Sequence, residues 1–128
     1  MNFTVKTNTK DEVVDITDDI NELIKKSGKK DGIIVLNLLH TTCALTTADL
    51  DPGTDKDILE AVRKMIPQIS FRHPHDPTHT PDHILSSILG TSLSLIFENN
   101  ELQLGDWQRV ILVELNGPSE RKINYSIS

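Results

Sequence analysis

Only one cysteine, Cys43, occurs in the chain, so no disulfide can form within it. The fold must stand on a hydrophobic core rather than on covalent staples, and a reducing compartment such as the cytoplasm is expected. Long apolar runs are missing as well. The longest, Gly32-Ile33-Ile34-Val35-Leu36-Asn37-Leu38-Leu39, is under half of the ~20 residues a membrane helix needs, so no membrane partner is expected. The N-terminus lacks the basic start, apolar stretch and small-residue cleavage site of a secretory signal. A basic excess is absent too. The net charge is −6, which argues against nucleic acid as a partner, because that affinity comes from many Lys and Arg contacts with phosphate. The cations fall in short groups, Lys25-Lys26 with Lys29-Lys30 and Arg121-Lys122, which read as solvated rims. No internal repeat or low-complexity tract appears. At this length a single domain over residues 1–128 is expected, large enough to bury roughly two thirds of its unfolded surface.

The patterning that is present alternates between two periods. Phe3 to Thr7 and Glu12 to Asp15 read as strands of a short hairpin. Thr17 is a good N-cap for a helix whose core stripe is Ile16, Ile20, Leu23 and Ile24, closed by Gly28. Gly32 to His40 is an almost unbroken apolar strand, a pattern that implies cover on both faces and a central place in a sheet. Cys43 to Thr47 reads as its partner or continuation. Thr54 caps a second helix with a stripe of Ile58, Leu59, Val62, Met65 and Ile66, ended by Pro67. Thr80-Pro81 reads as N-cap and first residue of a third helix closed by Gly90. Strands follow over Thr91–Phe97, Leu102–Leu104, Trp107–Glu114 and Arg121–Ile127, with turns at Glu98–Glu101 and at Asn116-Gly117. The expected class is α+β: a mostly antiparallel sandwich-like or open-barrel sheet with about three helices on one side.

Four of the five histidines fall within His73-Pro74-His75-Asp76-Pro77-Thr78-His79-Thr80-Pro81-Asp82-His83. Imidazole changes charge near neutral pH and is the commonest metal ligand. The three prolines make this loop extended and stiff. Pro81 prevents a continuous helix through His79 and His83, so these two do not form a helical metal pair. A site would instead gather His73 or His75, His83 at a helix start and His40 at a strand end around a divalent metal, zinc or magnesium first. Asp49 and Asp51 follow the Cys43–Thr47 strand, and Asp49 is the better placed to complete a metal shell or act as a base. Glu114 ends an apolar strand and needs a partner there, for which Arg121 is the obvious candidate. Trp107, the only tryptophan, suits a core or an interface. Cys43 and His40, three apart on an extended chain, point to opposite faces, and Cys43 reads as a small buried hydrophobe.

Four blocks occur in order: His40-Thr41-Thr42-Cys43-Ala44-Leu45-Thr46, His83-Ile84-Leu85-Ser86-Ser87-Ile88-Leu89-Gly90-Thr91-Ser92, Leu102-Gln103-Leu104-Gly105-Asp106-Trp107-Gln108 and Glu114-Leu115-Asn116-Gly117-Pro118. Together, and with Val14-Asp15-Ile16-Thr17, they resemble the YjbQ family (UPF0047, also called secondary thiamine-phosphate synthase). The resemblance implies a sandwich-like α/β domain, a homotrimer and a histidine site that can hold a metal ion. It also implies a side activity that joins hydroxymethylpyrimidine diphosphate to thiazole phosphate with loss of pyrophosphate. Two positions depart from the family pattern: Ala48-Asp49 stand where the family has Asn-Glu, and Asn116-Gly117-Pro118-Ser119 where it has Asp-Gly-Pro-Arg.

The expected assignment follows. His40, Asp49, His83 and Glu114 serve catalysis; Thr41, Gln108 and Arg121 position a small anionic substrate; His40, His73, His75 and His83 are the metal set. The alternative is a non-catalytic trimeric binding protein for a small anionic metabolite or a metal ion.

Overall fold

The computed structural model describes all of the chain, Met1–Ser128. Its elements are β1 (Asn2–Lys6), β2 (Glu12–Asp15), α1 (Thr17–Ser27), β3 (Gly32–Leu38), β4 (Cys43–Asp49), α2 (Thr54–Lys64), α3 (Thr80–Leu89), β5 (Ser92–Glu98), β6 (Glu101–Leu102), β7 (Gln108–Glu114) and β8 (Glu120–Ile127). The strands form two antiparallel sheets, in the orders β1-β8-β3-β5-β6 and β2-β7-β4. The architecture is therefore α+β, with a mostly antiparallel sandwich, as the patterning implied. No helix is long and apolar enough to cross a membrane.

The sheets face one another across the larger core. Ile34, Leu36, Leu38, Phe97 and Ile123 from the five-stranded sheet meet Cys43, Leu45, Val110 and Leu112 from the three-stranded one. Each buried Ile or Leu contributes about 1.5–3 kcal/mol relative to exposure. A second core lies on the far face of the small sheet, where Val62 of α2 and Leu85 of α3 cover Ala44, Ile111 and Val113. The helices are thus not all on one side. Ile16, Ile20 and Ile24 place α1 in the inter-sheet core, because that is where its stripe finds apolar cover.

β3 is central in its sheet but covered on one face only: Ile34, Leu36 and Leu38 are buried, while Ile33 and Val35 are exposed. The strand buried on both faces is β7, which runs between the two cores. β4 is neither partner nor continuation of β3. It pairs with β7, and Leu39–Thr42 carries the chain from one sheet to the other.

The two hairpins expected at the ends of the chain are also crossings. β1 pairs with β8 and β2 with β7, in different sheets. Asn116-Gly117 likewise separates β7 from β8. Alternation tells which face of a strand is buried, not which strand lies beside it. Gly117 is needed there for close approach, since a Cβ would lie 2.1 Å from the Thr9 carbonyl oxygen. The Glu98–Glu101 hairpin does form, with Asn99 and Asn100 at φ of 51° and 64°.

Gly28, at φ 75°, closes α1, and Gly90 follows α3 as expected. The three threonine N-caps shift by one residue: Ile16, Gly53 and His79 hold the cap positions and Thr17, Thr54 and Thr80 begin the helices. At Thr17 the reason is tertiary. Its hydroxyl donates to Asp15 Oδ1 (2.7 Å) and accepts from the Val110 amide (2.8 Å), tying α1 to the small sheet.

Candidate functional site

Both crossings between the sheets, Leu39–Thr42 and Leu115–Ser119, arrive at the same end of the sandwich, beside the start of α3. Glu114 ends β7 there and Arg121 stands near the start of β8. Arg121 Nε donates to Glu114 Oε1 at 2.8 Å and Nη2 to Oε2 at 2.5 Å. The Thr7 hydroxyl also donates to Oε1 (2.7 Å), and the amides of Leu115 and Asn116 donate to Oε2 (3.0 and 3.2 Å). Burial alone would raise the Glu114 pKa. Arg121, the Thr7 hydroxyl and the Asn116 amide outweigh it and hold the carboxyl below its usual value. Glu114 is thus ionised and engaged on both oxygens, which suits a positioning residue and leaves no lone pair turned to a ligand. Arg121 Nη2 passes the constraint on, donating to Thr42 Oγ1 (2.9 Å) and, at 3.4 Å, to the Thr42 carbonyl. Its Nη1 makes no hydrogen bond, and it is not sealed, because Thr80 Oγ1 is the only buried side-chain polar atom without a partner.

His40 lies two residues beyond the end of β3, and its Nε2 accepts from the Lys122 amide at 2.8 Å. Burial, then the charge of Arg121, outweighs the pull of Glu114 and lowers the His40 pKa below 6.5. A neutral ring that accepts at Nε2 carries its proton on Nδ1, so His40 offers a donor. His83 is the reverse. Its Nδ1 is 3.0 Å from the Thr41 carbonyl, which can only accept. Nδ1 therefore carries a proton, and in the neutral ring the lone pair is on Nε2, the arrangement a ligating or basic imidazole uses. His73 stacks on His83, centroids 4.9 Å apart and planes at 9°, and its Nδ1 accepts from the Asp76 amide at 3.3 Å. The His75 ring stands edge-on to His73 at 6.1 Å.

The structure thus brings His73, His75 and His83 together, and His40 is linked to them only through its chain neighbour Thr41, whose carbonyl accepts from His83. It does not gather three His, Cys, Asp or Glu side chains into a metal shell. The donor set explains why. Backbone amides take the lone pairs of His40 and His73, which leaves His75 and His83 as possible ligands within one chain.

Beneath the loop lies a network that the sequence patterning did not reveal. Asp82, 1% exposed, accepts from Arg63 Nη1 at 2.5 Å, and Lys10 Nζ approaches its other oxygen at 3.5 Å. Arg63 also holds Asp11 through Nε and Nη2 (3.0 and 2.6 Å) and the Leu115 carbonyl (2.7 Å). His79 faces carboxylates with both ring nitrogens, Asp76 at 3.0 Å and Asp82 at 3.3 Å. Ser86, one turn after His83, donates to the Cys43 carbonyl at 2.7 Å. Nothing local in the sequence marked Asp82 and Arg63 as partners.

Asp49 and Gln108 are not at this end. They sit opposite each other at the other end of β4 and β7, as Cys43 and Glu114 do here. Asp49 is exposed and accepts from the Asp51 amide at 2.7 Å. Gln108 accepts from the Gly105 amide (3.0 Å) and donates to Thr47 Oγ1 (2.9 Å), bracing the Leu104–Trp107 turn. Cys43 is fully buried, and burial pushes its thiol up to about 12. It is a core residue, not a nucleophile.

Compared with known proteins, the chain matches the family described as UPF0047 protein YjbQ-like over residues 1–128. A UPF0047 protein of Methanocaldococcus jannaschii is 34% identical over 126 residues, covering 98% of this chain and 91% of that one. The crystal structure of a YjbQ/UPF0047 family protein from Clostridium acetobutylicum has a TM-score of 0.89 at 32% identity, covering 100% of this chain and 99% of that one. A YbjQ-like protein of unknown function from Sulfolobus solfataricus has a TM-score of 0.90 at 32% identity, covering 99% and 94%.

Proposed function

We propose, from the premise that the chain belongs to the UPF0047 protein YjbQ-like family, that its histidine end is an acid–base site for a small phosphorylated metabolite. The observation that carries this is the opposite tautomers of two imidazoles linked through Thr41, which follows His40 in the chain and whose carbonyl accepts from His83. His40 presents N–H at Nδ1 and His83 a lone pair at Nε2. A donor imidazole and an acceptor imidazole are the two groups that general acid–base chemistry uses. Arg121 Nη1 and the exposed Lys122 add positive charge that suits an anionic ester.

The reaction to test is the thiamine-phosphate synthase step. The thiazole nitrogen attacks the methylene carbon of hydroxymethylpyrimidine diphosphate, the methylene–oxygen bond breaks, and pyrophosphate leaves with that electron pair. His40 would donate a hydrogen bond to the departing pyrophosphate, and Arg121 and Lys122 would offset the charge growing on it, the role of preorganised donors in such steps. His83 would accept a hydrogen bond from the pyrimidine amino group, and Thr41 would hold His83 in register. A divalent cation such as zinc or magnesium supplies Lewis acidity when bound. One chain offers it only His75 and His83, and no step here depends on it.

The test is pyrophosphate release from the two precursors by wild type, His40→Ala and His83→Ala, with calorimetric binding of each precursor and circular dichroism as the fold control. Loss of turnover in both variants at unchanged fold supports the reading. Binding without turnover assigns the same residues to a binding protein. No binding of either precursor by the wild type removes the phosphorylated-metabolite reading.

A further inference from the structure

A hollow of about 390 Å³ lies where the last turn of α1 meets the start of β1 and the end of β8. Tyr125 and Ile127 pair with Leu36 and Ile34 of β3, so the hollow stands by the first half of that strand, and His40 lies beyond its other end. Met1, Leu23, Tyr125 and Ile127 give it apolar walls, and Lys26 and Lys29 add charge. Small-molecule sites have this make-up: roughly 300–1,000 Å³, mostly apolar, with a few polar groups. Met1 and Tyr125 also line a neighbouring hollow of about 230 Å³ that reaches Val35. Met1 is 76% exposed and Val35 41%. An unbranched, exposed methionine side chain adapts readily, so the two hollows form one apolar track from Leu23 past Met1 to Val35.

The polar groups of the track lack partners within the fold. Lys25 is paired with Glu22 at 3.7 Å, but Lys26 has no carboxylate partner, and Lys29 Nζ donates only to the Ile127 carbonyl, at 3.4 Å. Lys26 suits the C-terminal end of a helix whatever it binds. Lys29 lies past Gly28, outside α1, and has no such reason to be there. Tyr125 is half-buried, edge-on to Phe3 at 6.1 Å, and its phenol makes no hydrogen bond. Two ammonium groups and a free O–H beside an apolar wall fit an anionic head on an apolar tail. A nucleotide or a sugar would leave polar atoms unpaired against Leu23 and Ile127.

We propose that this track binds a free medium-chain fatty acid. The carboxylate would sit among Lys26, Lys29 and the Tyr125 phenol, and the chain would run along Leu23 and Ile127 and past Met1 toward Val35. The site is separate from the histidine end and independent of the reaction proposed there.

The experiment titrates the protein with hexanoate, octanoate, decanoate and dodecanoate, each below its micelle concentration, and follows the amide chemical shifts by NMR. Decanol is the neutral comparator. Each added methylene tightens binding about fourfold while apolar wall remains to cover it, the gain that burial of one CH₂ gives. The shifts centre on Lys26, Lys29, Tyr125 and Ile127, and those of His40 and His83 stay still. Lys26→Glu/Lys29→Glu, a change of two exposed side chains, abolishes decanoate binding. Tyr125→Phe, which keeps the contact with Phe3, weakens it several-fold. Val35→Asp leaves hexanoate unchanged and removes the gain of the longest chains. No saturable shift, decanol binding as tightly as decanoate, no gain with chain length, or a double variant that binds like wild type overturns the proposal. Binding only to phosphatidylglycerol vesicles overturns it too and makes the lysines a membrane-surface patch. Neither result bears on precursor turnover at the histidine end, so the two readings fail separately.

Discussion

The guanidinium of Arg121 and the carboxylate of Glu114 join the two sheets at the histidine end, through paired hydrogen bonds of 2.8 and 2.5 Å from strands that are not neighbours. Both side chains are almost wholly buried. Removing either partner leaves the other charged and uncompensated, so Glu114→Gln or Arg121→Met should each cost about 3–5 kcal/mol in urea unfolding. The double substitution should cost clearly less than the sum, because the two act as one unit. Additive costs would show that the pair is not coupled.

Acid stability should fall in two stages. His40 is held below 6.5 in the fold, so below that pH the unfolded chain binds more protons than the folded one. Its contribution is complete above 6.5 and is lost as pH falls through the folded value. Glu114 is held below 4.5, and its contribution is complete above 4.5 and lost as pH falls through its own folded value. The urea midpoint should therefore drop first near the imidazole range and again near the carboxylate range. His40→Asn should abolish the first drop and leave the second. An unchanged profile in that variant would remove His40 from the account.

Gly117→Ala should destabilise by about 3 kcal/mol or more, the upper end of overpacking costs. Its new Cβ meets the Thr9 carbonyl oxygen at 2.1 Å and Glu114 Cγ at 2.8 Å. Gly28→Asn is the control, since nothing lies within 4 Å and Asn tolerates the left-handed backbone. It should cost under about 1 kcal/mol. Similar costs at the two sites would mean that close approach is not what selects glycine at 117.

Cys43 should resist thiol reagents at pH 8 in the folded protein and react in denaturant, because burial raises its pKa to about 12 and seals the sulfur. Fast labelling under native conditions would mean that the start of β4 opens.

Much of the fold was legible locally. The stripe of α1, the closing glycines Gly28 and Gly90, the Asn99-Asn100 turn and all eight strands follow from periodicity and turn chemistry. So does the Glu114–Arg121 pair, because a charge at the end of an apolar strand demands an opposite charge nearby. Sheet membership was not legible. β1–β2 and β7–β8 look like hairpins because their connections are short, yet each connection spans the gap between sheets. The site divided in the same way. The clustering of His73, His75 and His83 is written in the proline-bracketed loop. The separation of Asp49 and Gln108 from His40 depends on β4 running away from the histidine end.

The chain order alone settled which residues carry chemistry and which faces turn inward, since both depend on side-chain type and on periods of two or three to four residues. Only the assembled sandwich decided which imidazole keeps its lone pair and which carboxylates lie within reach. Those outcomes are fixed by backbone amides and carbonyls such as Lys122 N–H and Thr41 C=O, contacts made between segments that no local pattern brings together.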